Sequence, residues 1–317
     1  IGSDIDGEAE YDYSGYSVAI SDDGSVVAIG AYGNDANGDG SGHVRIYQNV
    51  DNVWTKIGSD IDGEAEYDES GSSVALSNDG SVVAIGAPGN DATGSNSGHV
   101  RIYQNVDNVW TQIGDDIDGE AAWDSSGRSV SISGDGSIVA IGATGNDDNE
   151  NNSGHVRIYQ NVDNFWTQIG SDIDGKARGD HSGYSVALSE DGSVVAIGAN
   201  QIGKGENESS QGYVRIYQTS SLVTTSIVSE TSSVSIAENT TAVASYTVTD
   251  ADAGDTVRWS LTGDDASLFD INSNGELIFV SAPDYETPGS AASSNVYSVT
   301  VTATDAGDNT DSTDLTI

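Results

Sequence analysis

The segment SGYSVAISDDGSVVAIGA (Ser14–Ala31) returns at Ser70–Ala87, Ser126–Ala143 and Ser182–Ala199, each time 56 residues after the last. A fixed step of that size confines the chain to repeat architectures, because one short unit cannot bury its own apolar faces and must stack on its copies. Within a step the pattern is that of strands. Gly15–Ser21 and Ser25–Ala31 are joined at Asp22–Gly24, an Asp-Gly hairpin signal between β-branched runs. Ser25–Ala31 is nearly all apolar and is expected to be covered on both faces. The polar loop Tyr32–Gly42 leads to His43–Asn49, where Val44 and Ile46 alternate with His43, Arg45 and Tyr47. Val53–Ser59 reads as a fourth strand, with Trp54, Trp110 and Trp166 recurring at its second position. Four antiparallel strands with a buried inner strand and one aromatic anchor describe a propeller blade. The expected fold is all-β: a β-propeller of four 56-residue, four-stranded blades, followed by a smaller sandwich.

The fourth copy shows only three strands and ends at Gly212–Gln218, while the chain opens on IGSDIDG, the end of a fourth strand. Those first residues either complete the last blade and shut a ring, or pair with a neighbouring chain and propagate a fibre. The period stops at Thr219. Residues 1–218 are therefore read as the propeller, 219–225 as a Ser/Thr-rich linker, and 226–317 as a second unit. Its alternating segments (SSVSIAE, AVASYTVTD, TVRWSLTG, GELIFVSA, NVYSVTVTATD, TDLTI) fit a β-sandwich of immunoglobulin-like size.

Charge narrows the partners. With 51 acidic against 10 basic residues, the formal net charge is −41. Nucleic acid and anionic lipid are disfavoured, since both are recognised through Lys and Arg. An acidic surface that takes up divalent cations fits better. No cysteine occurs, which excludes disulfides and thiolate metal sites. No methionine occurs either, so Ile1 is not expected to be a translation start, and the chain is expected to be part of a longer product. No run of 18 apolar residues is present, and no membrane insertion is expected.

The Ser-Gly before strand one, the SVAIS–SVVAIGA pair and the SGHVRIYQ strand resemble the FG-GAP repeats of integrin-alpha-like β-propellers. Such repeats often carry an Asp-rich calcium loop between strands one and two. Here that loop is only SDDGS, SNDGS, SGDGS or SEDGS, too short to wrap an ion. The second unit resembles a cadherin repeat, through SIAEN (Ser235–Asn239), VTDADAGD (Val248–Asp255), FDINSNGELIFV (Phe269–Val280), PDYE (Pro283–Glu286) and VTATDAGDN (Val301–Asn309). That resemblance implies calcium held between consecutive domains. Glu238, Asp284 and Glu286 would face a following domain, and Asp250, Asp252 and Asp305 a preceding one. The family's Asp-rich linkers are absent on both sides, so each ion would lack some of its usual ligands.

Other constellations are weighed on their chemistry. Asp35, Asn37 and Asp39 with Gly40 spell the front half of a calcium loop, but the position of the closing glutamate is Ile46. Asp12, Asp68, Asp124 and Asp180 precede each Ser-Gly and are read as turn caps. Arg45, Arg101, Arg157 and Arg215 are read as partners of acids between blades. His43, His99 and His155 lie on different blades and are treated as structural. Asn151, Asn207 and Asn239 stand in N-x-S/T sequons and mark candidate glycosylation. No nucleophile–base set stands out. The expected function is a non-enzymatic, extracellular adhesion or structural protein with calcium as its cation. Its partners would be proteins or glycans at a cell surface, or further copies of itself in a homo-oligomer or fibre. The alternative is a carbohydrate-binding or carbohydrate-cleaving propeller, motivated by Tyr11, Tyr13, Tyr67 and Trp123 in the inter-blade loops.

Overall fold

The computed structural model describes residues 1–201, 211–219, 226–228, 232–249, 257–304 and 310–317. The chain divides into two compact units, Ile1–Thr219 and Ser220–Ile317. Every strand pair in both is antiparallel among the described residues, apart from three isolated parallel bridges, and the chain is all-β.

The first copy of the repeat folds as β1 (Ser17–Ile20), β2 (Val26–Ala31), β3 (His43–Val50), β4 (Val53–Lys56) and β5 (Ile61–Asp62). Strands β1 to β4 lie side by side in chain order, and β5 also pairs with β3. The expected single strand Val53–Ser59 is therefore corrected. It is broken at Gly58, whose φ of 72° takes the backbone out of the ladder, and pairing resumes at Ile61 against Val44. The second and third copies repeat this five-stranded sheet. Among the described residues the fourth has three strands, Ser182–Leu188, Val194–Ala199 and Tyr213–Gln218, and the sequence carries no counterpart of Val53–Lys56 after them.

Registry fixes which side chains share a face. Ser17, Gly30 and Val44 look one way with Ala19, Ala28 and Ile46; Val18, Ile29 and Arg45 look the other way with Ile20, Val27 and Tyr47. The first set packs on the second set of the next copy: Ala28, Val44 and Ile46 share one apolar cluster with Val83 and Ile85. Ala84, Val100 and Ile102 meet Val139 and Ile141 in the same way. Burying a Val or Ile side chain stabilises by about 1.5–3 kcal/mol, and each junction buries several. The sheets approach closely at a glycine pair. A methyl group on Gly30 would overlap the Gly71 carbonyl oxygen, which instead accepts a hydrogen bond from Ser17 Oγ at 2.6 Å. Ser73 with Gly127 and Ser129 with Gly183 repeat the contact at 2.8 and 2.7 Å.

The hairpin tips form a ladder of one backbone hydrogen bond per junction between copies. Asp22 N donates to Asn78 O, Asn78 N to Gly134 O, and Gly134 N to Glu190 O, at 2.8, 2.8 and 2.7 Å. The Asn78 side-chain amide also donates to Glu190 Oε1 at 3.1 Å, across two repeats. The tips thus converge on one line.

The two end faces of this stack stay uncovered. Val18 and Ile20 are 65% and 61% exposed, and Val214 and Ile216 are 67% and 69% exposed, whereas Val44 and Ile46 are 0% and 1% exposed. The first residues of the chain lie on the first sheet: Trp54 Nε1 donates to Ile1 O at 3.2 Å, and Arg45 Nη2 to Asp6 O at 2.9 Å. Among the described residues, Tyr213–Gln218 pairs only with Val194–Ala199. Among the described residues the opening segment therefore does not complete the fourth sheet, so of the two alternatives the closed ring is not the one seen within this chain.

In the second unit, one three-stranded sheet joins Ala242–Ser245, Glu276–Phe279 and Phe269–Ile271, and another joins Arg258–Thr262, Ser298–Thr304 and Thr310–Thr316. The two share one core, in which Val243, Phe269, Leu277 and Phe279 from the first meet Val299, Val301 and Leu315 from the second. Phe279 lies 4.2 Å from Phe269 and 5.1 Å from Tyr297, centroid to centroid. Two segments read as strands differ here. Residues 232–238 form a single bridge rather than a strand, and AVASYTVTD divides at Tyr246. The turn at Gly275, with φ 77°, brings Glu276–Phe279 back on Phe269–Ile271, a strand the sequence reading passed over.

Candidate functional site

At each junction between copies, buried polar groups gather at one end of the sheets. Asp12, Asp68, Asp124 and Asp180 are all buried. Their Oδ2 atoms accept the backbone N–H of Ala9, Ala65, Ala121 and Ala177 at 3.1, 2.9, 3.0 and 3.0 Å. They also accept side-chain amides from Asn34, Asn90, Asn146 and Gln201. They are turn caps, as their repetition in every copy indicates, and their bonds leave little room for another ligand. The arginines tie one copy to the previous one. Arg101 Nη2 donates to Asp62 O at 2.7 Å and Arg157 Nη2 to Asp118 O at 2.6 Å, while their Nη1 atoms lie 3.5 Å from Glu64 Oε1 and Glu120 Oε1. Arg45 holds Glu8 Oε1 at 3.3 Å. Arg215 likewise reaches Asp174 O.

The histidines stand beside these pairs. His43, His99 and His155 are buried, at 1%, 0% and 0% exposure. Neither ring nitrogen of any of the three has a hydrogen-bond partner. His155 Nδ1 faces Asp172 Oδ2 at 3.5 Å and Glu120 Oε2 at 3.8 Å; His99 Nδ1 faces Asp116 Oδ2 at 3.7 Å and Glu64 Oε2 at 4.0 Å. Glu8, His43 and Asp60 group in the same way, with one ligand atom from each within 4.8 Å of the others, and Asp148 joins the group at His155. The other oxygen of each aspartate is held: Lys56 Nζ lies 2.7 Å from Asp60 Oδ1, Gln112 Nε2 donates to Asp116 Oδ1 at 2.6 Å, and Gln168 Nε2 to Asp172 Oδ1 at 2.7 Å. Burial holds all three imidazoles below the usual histidine range, His99 down to about 4, and neighbouring arginines push the same way. Burial and the crowding of like charges raise the carboxyls of Glu64, Glu120 and Asp118, against the pull of the arginines.

The residues singled out for calcium fare differently. In the second unit Glu238, Asp284 and Glu286 come together, all exposed, with one oxygen from each within 4.8 Å of the others. Glu238 Oε2 accepts Tyr285 N at 3.1 Å, and Asp284 accepts Glu286 N and Thr287 Oγ1, which lower its carboxyl below the usual range. Asp250, Asp252 and Asp305 lie outside the described residues. Asp35, Asn37 and Asp39 do not converge on one another. Asp35 Oδ1 accepts Gly40 N at 2.7 Å, the Asn37 amide bridges Gly63 O and Glu64 O, and Asp39 contributes its backbone oxygen to Tyr67 N. Asp91 with Asn96 and Asp147 with Asn152 repeat the first bond, so these atoms staple loops. Asn151 is exposed and donates to Asp147, Asn239 is exposed with φ 61°, and Asn207 lies outside the described residues.

The sequence reading missed Glu8, Glu64 and Glu120, with Asp60, Asp116 and Asp172, and set the histidines aside for lying on separate blades. The signal was in the period: each of the three positions recurs at 56 residues three times.

Tyr11, Tyr67 and Trp123 take one repeated loop position, exposed and at positive φ of 73°, 66° and 73°. Tyr13 is exposed beside them and stacks on Tyr32 at 5.1 Å. Among the described residues no helix is long and apolar enough to cross a membrane.

No curated protein matches the sequence. Solved structures align with it at low identity. The hydrazine synthase of Kuenenia stuttgartiensis is 13% identical, with a TM-score of 0.46 over 94% of this chain and 64% of that one. A complex of KlAtg21 with the coiled-coil of AgAtg16 is 10% identical, with a TM-score of 0.38 over 64% of this chain and 57% of the other. The Pseudomonas aeruginosa periplasmic gluconolactonase PpgL is 13% identical, with a TM-score of 0.40 over 94% of this chain and 85% of that one. The chain thus spans less than two thirds of the first two. Residues 5–47, 60–103 and 117–159 match the FG-GAP repeat, which supports a propeller-type repeat over the first three copies of the period.

Proposed function

We propose that this chain is a non-enzymatic extracellular adhesion or structural protein that builds a surface fibre, with further copies of itself as the partner. Its first unit is a propeller-type array of blades. Its second is a cadherin-like sandwich stiffened by calcium at Glu238, Asp284 and Glu286. The observation that carries the reading is the pair of uncovered end faces. Val214 and Ile216 are the counterparts of Val44 and Ile46, and Val18 and Ile20 belong to the face that meets such residues at every internal junction. A second copy that places its first sheet on the fourth sheet of this one continues an interface already made three times within the chain. Such a head-to-tail contact propagates into a fibre when its rotation does not close into a ring. Acid-rich surroundings suit calcium, whose ligands are hard oxygens.

Sedimentation and electron microscopy test the reading. Linear assemblies are expected, and Ile216→Asp or Val18→Asp should cap them, each leaving the other end competent. A chain that stays monomeric at high concentration in physiological salt overturns it. Chelation should lower the thermal midpoint of the second unit; no change there removes calcium from the account.

A second reading, carbohydrate binding, is favoured by the exposed aromatic residues at Tyr11, Tyr67 and Trp123, since strained backbone and exposed rings together are features of contact surfaces. A glycan array with no hits counts against it.

A further inference from the structure

We propose that each of the first three repeats holds one divalent transition-type cation, of which Zn2+ is the reference, bound by its own histidine and aspartate and by the glutamate of the segment before it, which is the opening segment for the first repeat and the preceding copy for the second and third. The three sites are Glu8/His43/Asp60, Glu64/His99/Asp116 and Glu120/His155/Asp172. They are distinct from the calcium cluster of the second unit and do not depend on fibre formation.

Four observations carry this. First, three buried imidazoles with both nitrogens unpartnered are a repeated anomaly, because buried polar groups almost always find a partner. At 3.5–4.0 Å the carboxylates facing His99 and His155 are too far for hydrogen bonds to Nδ1, and the one facing His43 Nδ1, from Asp62, is at 4.0 Å. Second, that spacing suits atoms sharing an ion. Ligands about 2.1 Å from zinc sit about 3.4 Å apart in a tetrahedral shell, so shifts of a few tenths of an ångström bring the carboxylates facing His99 and His155 to that spacing. Third, the aspartates and glutamates are oriented from behind. One oxygen is held by Lys56, Gln112, Gln168 or an arginine, and at His99 and His155 the other faces the ring. Such outer contacts are how metal ligands are aimed. Fourth, the junction with the fourth copy loses the whole set at once. Lys176 stands where Glu120 stands, Tyr213 takes the register position of His155, and the sequence leaves the repeat before any counterpart of Asp172. The Lys176 ammonium lies over the Tyr213 ring at 5.3 Å, so a fixed cation occupies the junction that lacks the ligands. A nitrogen ligand beside two carboxylates selects zinc or a similar ion over calcium, whose shell is oxygen. The fourth ligand would be water, or Asp148 at the third site.

The test uses the whole chain, stripped by chelator and dialysed against Zn2+ alone. Native mass spectrometry should show three ions per chain. His43→Gln, His99→Gln and His155→Gln should each remove one, and the triple variant all three. Calcium in excess should not displace them. Because a substituted junction could fold poorly, imidazole 15N spectra of the unaltered protein provide the second readout. On adding Zn2+, Nδ1 of His43, His99 and His155 should shift while His181 does not. Fewer than three ions on the unaltered chain overturns the proposal. So does a stoichiometry unchanged in the triple variant, which marks scattered binding to surface acids, or a set of histidine resonances that Zn2+ leaves in place.

Discussion

Trp123 stands at φ 73° with its ring in solvent, and the fourth copy has Gly179, at φ 70°, in the same place. The left-handed region costs a non-glycine residue roughly 1–2 kcal/mol, and an exposed ring recovers little of it by packing. Trp123→Gly should therefore stabilise the first unit by about 1 kcal/mol in denaturant titration while weakening any sugar contact made there. A loss of stability would mean that the ring packs more than its exposure implies. At the other end of the same sheets, Asp191 is exposed yet pinned by Ser189 Oγ at 2.6 Å, Ser193 N at 3.0 Å and Ser193 Oγ at 2.7 Å. These donors, the Ser189 hydroxyl foremost, lower its carboxyl from 3.8 to about 2. The folded value lies below the unfolded one, so the hairpin gains stability that is complete above the ordinary value and is lost as pH falls towards about 2. Carboxyl-carbon NMR should place the Asp191 midpoint near 2, and Asp191→Asn should remove this part of the acid sensitivity.

The hairpins and their order were legible because Asp-Gly turns and β-branched runs are local signals. The two-residue strand at Ile61 was not legible, because its pairing is made across the break at Gly58. The metal-ligand geometry was not legible from local spacing either. Glu64, His99 and Asp116 are brought together by stacking, with the glutamate contributed by the preceding copy, and no short motif spans them. Only their shared period marks them. Stacking also gives the sharpest test at the level of sheets. A methyl on Gly86 overlaps the Gly127 carbonyl oxygen, a backbone atom fixed by its own sheet, whereas on Gly198 it meets only the Ser185 side chain. Gly86→Ala should cost about 1–3 kcal/mol or more by overpacking, and Gly198→Ala distinctly less. Thermal unfolding of the two variants side by side checks this. Equal losses would mean that the close approach between sheets does not hold the stack.

A net charge of −41 sets apolar end faces against long-range repulsion over the whole molecule. Association through Val18, Ile20, Val214 and Ile216 should therefore strengthen as salt shortens the screening length, towards about 8 Å at physiological ionic strength. Light scattering across a salt series measures this. An interface made of ion pairs would show the opposite slope. The ladder of tip hydrogen bonds from Asp22 to Glu190 runs through the four copies, with one rung for each of the three junctions and the same backbone contact at each rung. Since each backbone rung joins only neighbouring copies, a gene could gain or lose one 168-base block from among the first three copies by unequal recombination and still encode a protein whose backbone rungs are kept. Length would then be a trait that varies between strains while the sequence of each block stays nearly constant, and chains of different sizes could coassemble.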